Sequence, residues 1–187
     1  AASDLDAITA IYDKIHAQED AGRVTIGWVT GVYPTRFDAE QAAARNELYV
    51  CETEGRVAAS GILNQRQVNV YADGHWAYPA EDSTVFVLHT LTVDPELSGR
   101  GIGRAFVQFY EDTARERGCA VLRMDTNAKN AAARGTIFLK KFGVSKETLP
   151  HGRASFENGE SVTVLHFCKT ASGSSQPVPG SHCPGDP

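Results

Sequence analysis

A chain of 187 residues, 42% of them hydrophobic, is long enough for one domain with a sizeable buried core. Its 18 Lys and Arg against 23 Asp and Glu leave a net charge of −5, which argues against a broad basic footprint for nucleic acid or an anionic membrane. No apolar stretch approaches a membrane span, and the start AASDLDAITAIYDK lacks the basic-then-apolar layout of a signal peptide, so the expected setting is cytoplasmic.

The first helix is expected from the N-terminus, capped by Ser3 with Asp6 three residues on. Leu5, Ile8, Ile11, Tyr12 and Ile15 mark its apolar face. A second, short helix is expected over Asp38 to Asn46. Strands follow in ELYVCE and RVAASGILNQ, around the turn Thr53-Glu54-Gly55, then in RQVNVY, then in STVFVLHTLTV. A helix from Gly101 to Arg117 stops at Gly118, a suitable left-handed terminator. Next come a strand AVLRMD, a helix from Ala131 to Phe142 stopped by Gly143, and a hairpin pairing GRASFE with SVTVLHFCK across Asn158-Gly159. The segment from Thr170 to Pro187 is rich in Gly, Pro and Ser and is expected to be disordered, which leaves residues 1–169 as the folded domain. Helices and strands mix without strict alternation, so the expected class is α+β, with a mostly antiparallel sheet flanked by helices. Cys51, Cys119, Cys168 and Cys183 are scattered and read as reduced thiols, with no metal site.

The segment DPELSGRGIGRAF, from Asp94 to Phe106, places three glycines at alternate positions between a strand and a helix. Gly99, Gly101 and Gly103 remove side chains that would hold an anion away from the N–H groups of the helix N-terminus, and Arg100 and Arg104 add positive charge. The loop therefore reads as a phosphate cradle. It lacks the lysine of a P-loop, and Arg104 and Phe106 break a dinucleotide fingerprint, although Asp125 imitates that fold's ribose-binding acid.

The longer stretch LTVDPELSGRGIGRAFVQFYEDTARERG resembles the acetyl-CoA loop of the GCN5-related N-acetyltransferase (GNAT) superfamily. That loop usually reads Q/R-x-x-G-x-G/A after a strand ending in L-x-V. Arg100-Gly101-Ile102-Gly103 matches its second half, with Arg104 following, while Ser98 stands at the Q/R position. The resemblance continues through LRMDTNAKNAAARGTIFLKKFGV and covers Val85 to Val144. It implies a V-shaped splay between the strand ending near Val93 and the strand AVLRMD. Acetyl-CoA, as co-substrate, would lie there on the main chain of Leu91, Thr92 and Val93, with its pyrophosphate on Ser98, Gly99, Arg100, Gly101, Ile102, Gly103 and Arg104. Asn130 falls at the family's Asn position, where it touches the cofactor or caps the next helix, and Arg134 is the remaining cofactor-side candidate.

The activity implied is direct attack of an amine on the thioester, with the backbone N–H of Leu91 as oxyanion donor. His89, on the same strand, is the candidate base or proton relay; the alternative is a sheet histidine satisfied by its own hydrogen bonds. Leu139 stands where the family commonly has a tyrosine acid, and Tyr33, Tyr71 and Tyr78 are the candidate substitutes. On the acceptor side, Trp28, Tyr33, Tyr71, Trp76 and Tyr78 are expected to wall an aromatic pocket, and Glu81 and Asp82 to attract a cationic amine. The expected partner is a small-molecule amine, with a second copy of the chain as a further candidate and neither nucleic acid nor membrane. The competing reading is a noncatalytic acyl-CoA-binding sensor or assembly module.

Overall fold

The computed structural model describes residues 2–71, 76, 78–139, 143–144, 153–155 and 161–170. Helix α1 spans Ala2–Asp20 and buries Ile8, Ile11, Tyr12 and Ile15, a stripe at helical spacing. It begins ahead of Ser3, which therefore lies inside the first turn and is not the cap. Helix α2 spans Arg36–Ala44, two residues earlier than the sequence suggests. Thr35 sets that start: its N–H and its hydroxyl both donate to Asp38 Oδ2 at 2.7 Å, so Asp38 acts as the third residue of a capping box.

Strands β1 (Leu48–Thr53) and β2 (Arg56–Asn64) pair antiparallel around Glu54 and Gly55, both in the left-handed region at φ 52° and 74°. The expected strand RQVNVY is absent. Its second half is a 3₁₀ turn, Asn69–Tyr71, that drives Tyr71 into a small core with Val85, Val87 and Val121. One reason is topological: β2 already has β1 on one side and β3 (Val85–Val93) on the other, so neither edge of β2 is open to the segment that follows it.

Helix α3 (Ile102–Glu116) connects β3 to β4 (Val121–Asn127), which is followed by α4 (Ala131–Leu139), β5 (Gly143–Val144), β6 (Arg153–Ser155) and β7 (Ser161–Thr170). The sheet order is β1-β2-β3-β4-β7-β5, with β6 also on β7. Every pairing is antiparallel except β3 with β4, which gives the expected α+β architecture. Gly143 does not simply stop a helix; it opens β5, opposite Cys168. The hairpin pairs Ser155 with Ser161, while its turn at Asn158-Gly159, the expected helix end at Phe142 and residues 171–187 lie outside the described residues. β7 runs through Thr170, opposite Val121, so the sheet uses one residue assigned above to the tail.

Helix α3 docks on the sheet through Phe106, Val107, Tyr110 and Ala114, against Ala59, Leu63, Phe86, Leu122 and Met124. A Cβ on Gly61 would lie 2.7 Å from the Phe106 ring, so the glycine in β2 is what admits that ring. Among the described residues no helix is long and apolar enough to cross a membrane.

Candidate active site

The parallel pairing of β3 and β4 covers only Val85↔Val121, Phe86↔Leu122 and Val87↔Arg123. Beyond it, β3 continues to Val93 beside β2, and β4 continues to Asn127 beside β7. The two strands therefore part, leaving the β4-facing edge of Leu88 to Val93 without a strand partner among the described residues. Tyr110 fixes the apex. Its buried hydroxyl donates to the carbonyl of Phe86 at 2.7 Å and lies 2.9 Å from that of Arg123, so one side chain ties both strands where their ladder ends.

β3 is also irregular on its other edge. Ser60 pairs with Thr92 and Ile62 with His89, so Thr90 and Leu91 together face Gly61. This is a β-bulge, and Thr90 takes a left-handed φ of 51°, a costly conformation for a β-branched residue. The Tyr33 and Thr90 hydroxyls hydrogen-bond each other. Tyr33 itself packs edge-on to Trp28, with centroids 6.2 Å apart, and burial pushes its phenol pKa up. The Thr92 hydroxyl is paired with that of Ser60 at 2.8 Å, which leaves only its main chain for any ligand. Leu91 packs against the main core.

After Val93, the loop is anchored before it is freed. Asp94 donates its N–H to Ala58 O at 2.8 Å, its carboxylate accepts from Glu96 N–H at 3.0 Å, and Lys14 of α1 reaches both carboxylate oxygens at 3.1 Å. Leu97 is fully buried. Ser98, Gly99 and Arg100 are then exposed, and Gly99 and Gly101 take left-handed φ of 79° and 80°. Gly101 is the N-cap of α3 and has no side chain with which to cap it. The N–H of Ala105 is the first to reach back, to Gly101 O at 2.9 Å, so the preceding N–H groups of Ile102, Gly103 and Arg104 have no intrahelical acceptor. The first turn holds no acidic residue. Arg100 and Arg104 make no hydrogen bond or ion pair among the described residues, and placing cations at the positive end of a helix is favourable only when an anion sits there. The loop thus fits a phosphate-bearing ligand.

Asn130 caps α4: its Oδ1 accepts from Ala133 N–H at 3.1 Å. Arg134 folds back, donating from Nη1 to Ala128 O at 3.0 Å. Ile102 and Ala133 pack against the same core cluster, which brings the first turns of α3 and α4 to one end of the parted strands.

On the other face of β3, His89 helps line a cavity of about 360 Å³ with Tyr33, Asp38, Ile62, Asn64 and Arg66. His89 Nε2 lies 3.0 Å from Arg66 O and 3.1 Å from Asn64 Oδ1. The Asn64 amide is oriented by its neighbours, because its Nδ2 donates to Glu47 at 3.2 Å and its Oδ1 accepts from Arg66 N–H at 2.9 Å. Two acceptors around Nε2 make that nitrogen the protonated one and leave Nδ1 as the basic atom. Burial lowers the His89 pKa below its ordinary 6.5, outweighing Asp125, the Arg66 carbonyl and Glu47, which favour the charged form. Glu47 is affected by burial in the opposite sense, but hydrogen bonds from Arg66, Arg45 and Asn64 outweigh it and leave the carboxyl below its usual pKa.

The expected aromatic wall does not form as one surface. Trp28 and Tyr33 meet edge-on near His16 of α1, whereas Tyr71, Trp76 and Tyr78 belong to the separate small core, and of these five only Tyr33 reaches the cavity. Tyr71 donates to Asp125, and burial first, then that carboxylate, raises its pKa well above the ordinary value. Neither Glu81 nor Asp82 lines the cavity; Asp82 accepts from Gln67 at 2.5 Å instead. Polar residues that do line it include Asp38 of α2, Arg45 at its C-cap, and Asn64 and Arg66 at the end of β2; they carry no motif in the sequence, and only the packing of α2 and β1 beside β2 gathers them.

The sequence model of the acetyltransferase (GNAT) family matches residues 12–143. An uncharacterized N-acetyltransferase from Methanocaldococcus jannaschii is 28% identical over 104 residues, 56% of this chain and 41% of that protein, so the match spans well under half of that relative. Among solved structures, the ribosomal-protein-alanine N-acetyltransferase of Brucella melitensis superposes with a TM-score of 0.65 at 23% identity, over 91% of this chain and 96% of its own. The yncA protein of Salmonella typhimurium, solved with its cofactor acetyl-CoA, gives 0.64 at 19% identity, over 95% and 94%.

Proposed function

Because the chain belongs to the acetyltransferase (GNAT) family, whose members use acetyl-CoA, we propose that it moves an acetyl group from acetyl-CoA to the amine of a small molecule seated in the cavity beside His89. The observation that carries this reading is the parting of β3 from β4 directly ahead of an uncapped, arginine-flanked helix N-terminus. In the reading, the N–H groups from Gly99 to Arg104 hold the pyrophosphate, with Arg100 and Arg104 on its outer oxygens and the Ser98 hydroxyl beside them. The open edge at Leu91, Thr92 and Val93 offers main-chain partners to the pantetheine arm, and Asn130 and Arg134 bound the far side.

Bound acetyl-CoA supplies an activated acyl carbon, whose C–S bond breaks as a C–N bond forms. In the reading, the backbone N–H of Leu91, on the bulged stretch opposite Gly61, is the donor for the acyl oxygen. His89 takes the amine proton on Nδ1, since Nε2–H is held by Arg66 O and Asn64. Tyr33, held at the bulge, orients the acceptor. Leu139 ends the described part of α4 and carries no titratable group, so the leaving thiolate takes its proton from water, which a thiol of pKa about 8.5 permits.

The test is CoA release measured across amines, polyamines, amino acids and aminoglycosides. Turnover of at least one class supports the reading. Tight acetyl-CoA binding without turnover in any class would replace it with the noncatalytic acyl-CoA sensor.

A further inference from the structure

Two arginines at the cavity share one carboxylate. Arg66 Nη2 contacts both oxygens of Glu47, and Arg45 Nε donates to Glu47 Oε2 at 3.0 Å. That leaves one positive charge in excess. The two terminal nitrogens of Arg45, and Nε and Nη1 of Arg66, have no partner among the described residues. Glu47 is only 17% exposed, so it holds both guanidinium groups in place from below while their remaining N–H groups stay accessible. Both arginines line the cavity.

The opposite charge lies at the other end of the same wall. Asp38 is in the first turn of α2 and Arg45 is its C-cap, so the rise of the helix separates them by about 10 Å along the axis. Asp38 commits Oδ2 to Thr35, and its charge acts on Tyr33 beside it. The cavity therefore has an anionic end near Tyr33 and a cationic end at Arg45 and Arg66, with neutral His89, Asn64 and Ile62 between them.

We infer that the acceptor is a small zwitterion of the amino-acid type, its amine toward Asp38, Tyr33 and His89 and its carboxylate on Arg45 and Arg66. The inference rests on reading this cavity as the acceptor pocket. An acceptor with amines alone would place a cation against two guanidinium groups, whereas a carboxylate there completes a charge set that Glu47 only half fills. A volume of about 360 Å³ accommodates a molecule of that size.

The test uses the common amino acids, each beside its amide and its decarboxylated amine, with saturating acetyl-CoA and the full chain. The expected result is a preference in kcat/KM of about 10- to 100-fold for at least one carboxylate form over its own amide and amine, the size of a lost charge-assisted pair. Arg66→Gln and Arg45→Gln should each shrink that preference by raising KM for the carboxylate form, and Arg66→Lys should restore part of it. Arg36→Gln, on an arginine paired with Asp6 and Glu40 outside the cavity, should leave the preference intact and controls for loss of charge. Equal rates for carboxylate and amide, or a preference for the decarboxylated amines, would overturn the inference while the acetyltransferase reading stands. A chain that binds acetyl-CoA and acetylates nothing would overturn both.

Discussion

The hydroxyl of Tyr33 meets the hydroxyl of Thr90, the one β-branched residue among those described that is held in the left-handed backbone region. Such a conformation costs roughly 1–3 kcal/mol and persists only where its surroundings enforce it. Tyr33→Phe removes the enforcing contact. It should cost about 1 kcal/mol in the native background, a fall in Tm of about 2–4 °C for a chain of this size. In a Thr90→Gly background, where the backbone is relaxed and the partner is gone, the same change should cost almost nothing. Additive losses in the double mutant would show that the two hydroxyls are not coupled.

Arg104 allows two effects of opposite sign to be measured on one variant. An acid in the first turn of α3 complements the helix dipole, so Arg104→Glu should stabilise the ligand-free protein by about 0.3–1 kcal/mol. The same change sets a carboxylate against the proposed pyrophosphate and should weaken acetyl-CoA binding at least about tenfold. Thermal melts with and without acetyl-CoA read both. A variant that is less stable alone and binds as before would place the ligand elsewhere.

Gly101 and Gly103 separate backbone strain from ligand clearance. Gly101 sits at φ 80°, so Gly101→Val should both strain the apo protein and abolish acetyl-CoA binding. Gly103 lies inside α3, where valine is a tolerable residue, so Gly103→Val should fold and yet lose the ligand. In the native protein, acetyl-CoA at about 100-fold excess over Kd should add ~2.7 kcal/mol to stability. No shift in the native protein, or an unchanged shift in Gly103→Val, would contradict the phosphate cradle.

His89 sets the pH dependence. Its folded pKa is below 6.5, so the imidazole is mostly neutral at that pH and above and charges as the pH falls through the lower folded pKa. Stability linked to this group is therefore complete above about pH 6.5 and is lost on acidification, because the unfolded chain takes up the proton first. kcat/KM should show an acid limb below 6.5. His89→Gln should remove that limb and lower kcat/KM by about 10²–10⁴, with acetyl-CoA affinity retained. A limb that survives the substitution would make His89 a structural residue of β3.

The elements carried by a clean period were legible in the sequence. The stripe of Ile8, Ile11, Tyr12 and Ile15, the strand that became β3 and the glycine-led start of α3 all form as their patterns imply. RQVNVY failed because alternation reports a local preference, while a strand also needs an open edge, and β2 has none. VFVLHTLTV reads as one uninterrupted strand, and the adjacent polar pair His89-Thr90 does not by itself announce the bulge; the offset appears only against Ser60, Gly61 and Ile62. The cavity was least legible. Arg45, Glu47, Asn64 and Arg66 are ordinary surface types in sequence, and their joint charge exists only after β1 and β2 bring them together. Asn130 is seen to cap α4, which is the local half of its dual reading.

Gly61 and Phe106 lie 45 positions apart and are sterically coupled. The ring fills the space a methyl group would take, so a side chain gained at 61 first meets a helix that no longer seats, and a smaller residue at 106 first leaves a void in the core. Changing the pair one residue at a time therefore passes through one of those two defects. Because α3 carries the glycine loop at its head, the seating depth of that ring also sets how far the loop stands from β3. Diversification of the acceptor pocket, which draws on other residues, can proceed without disturbing that spacing.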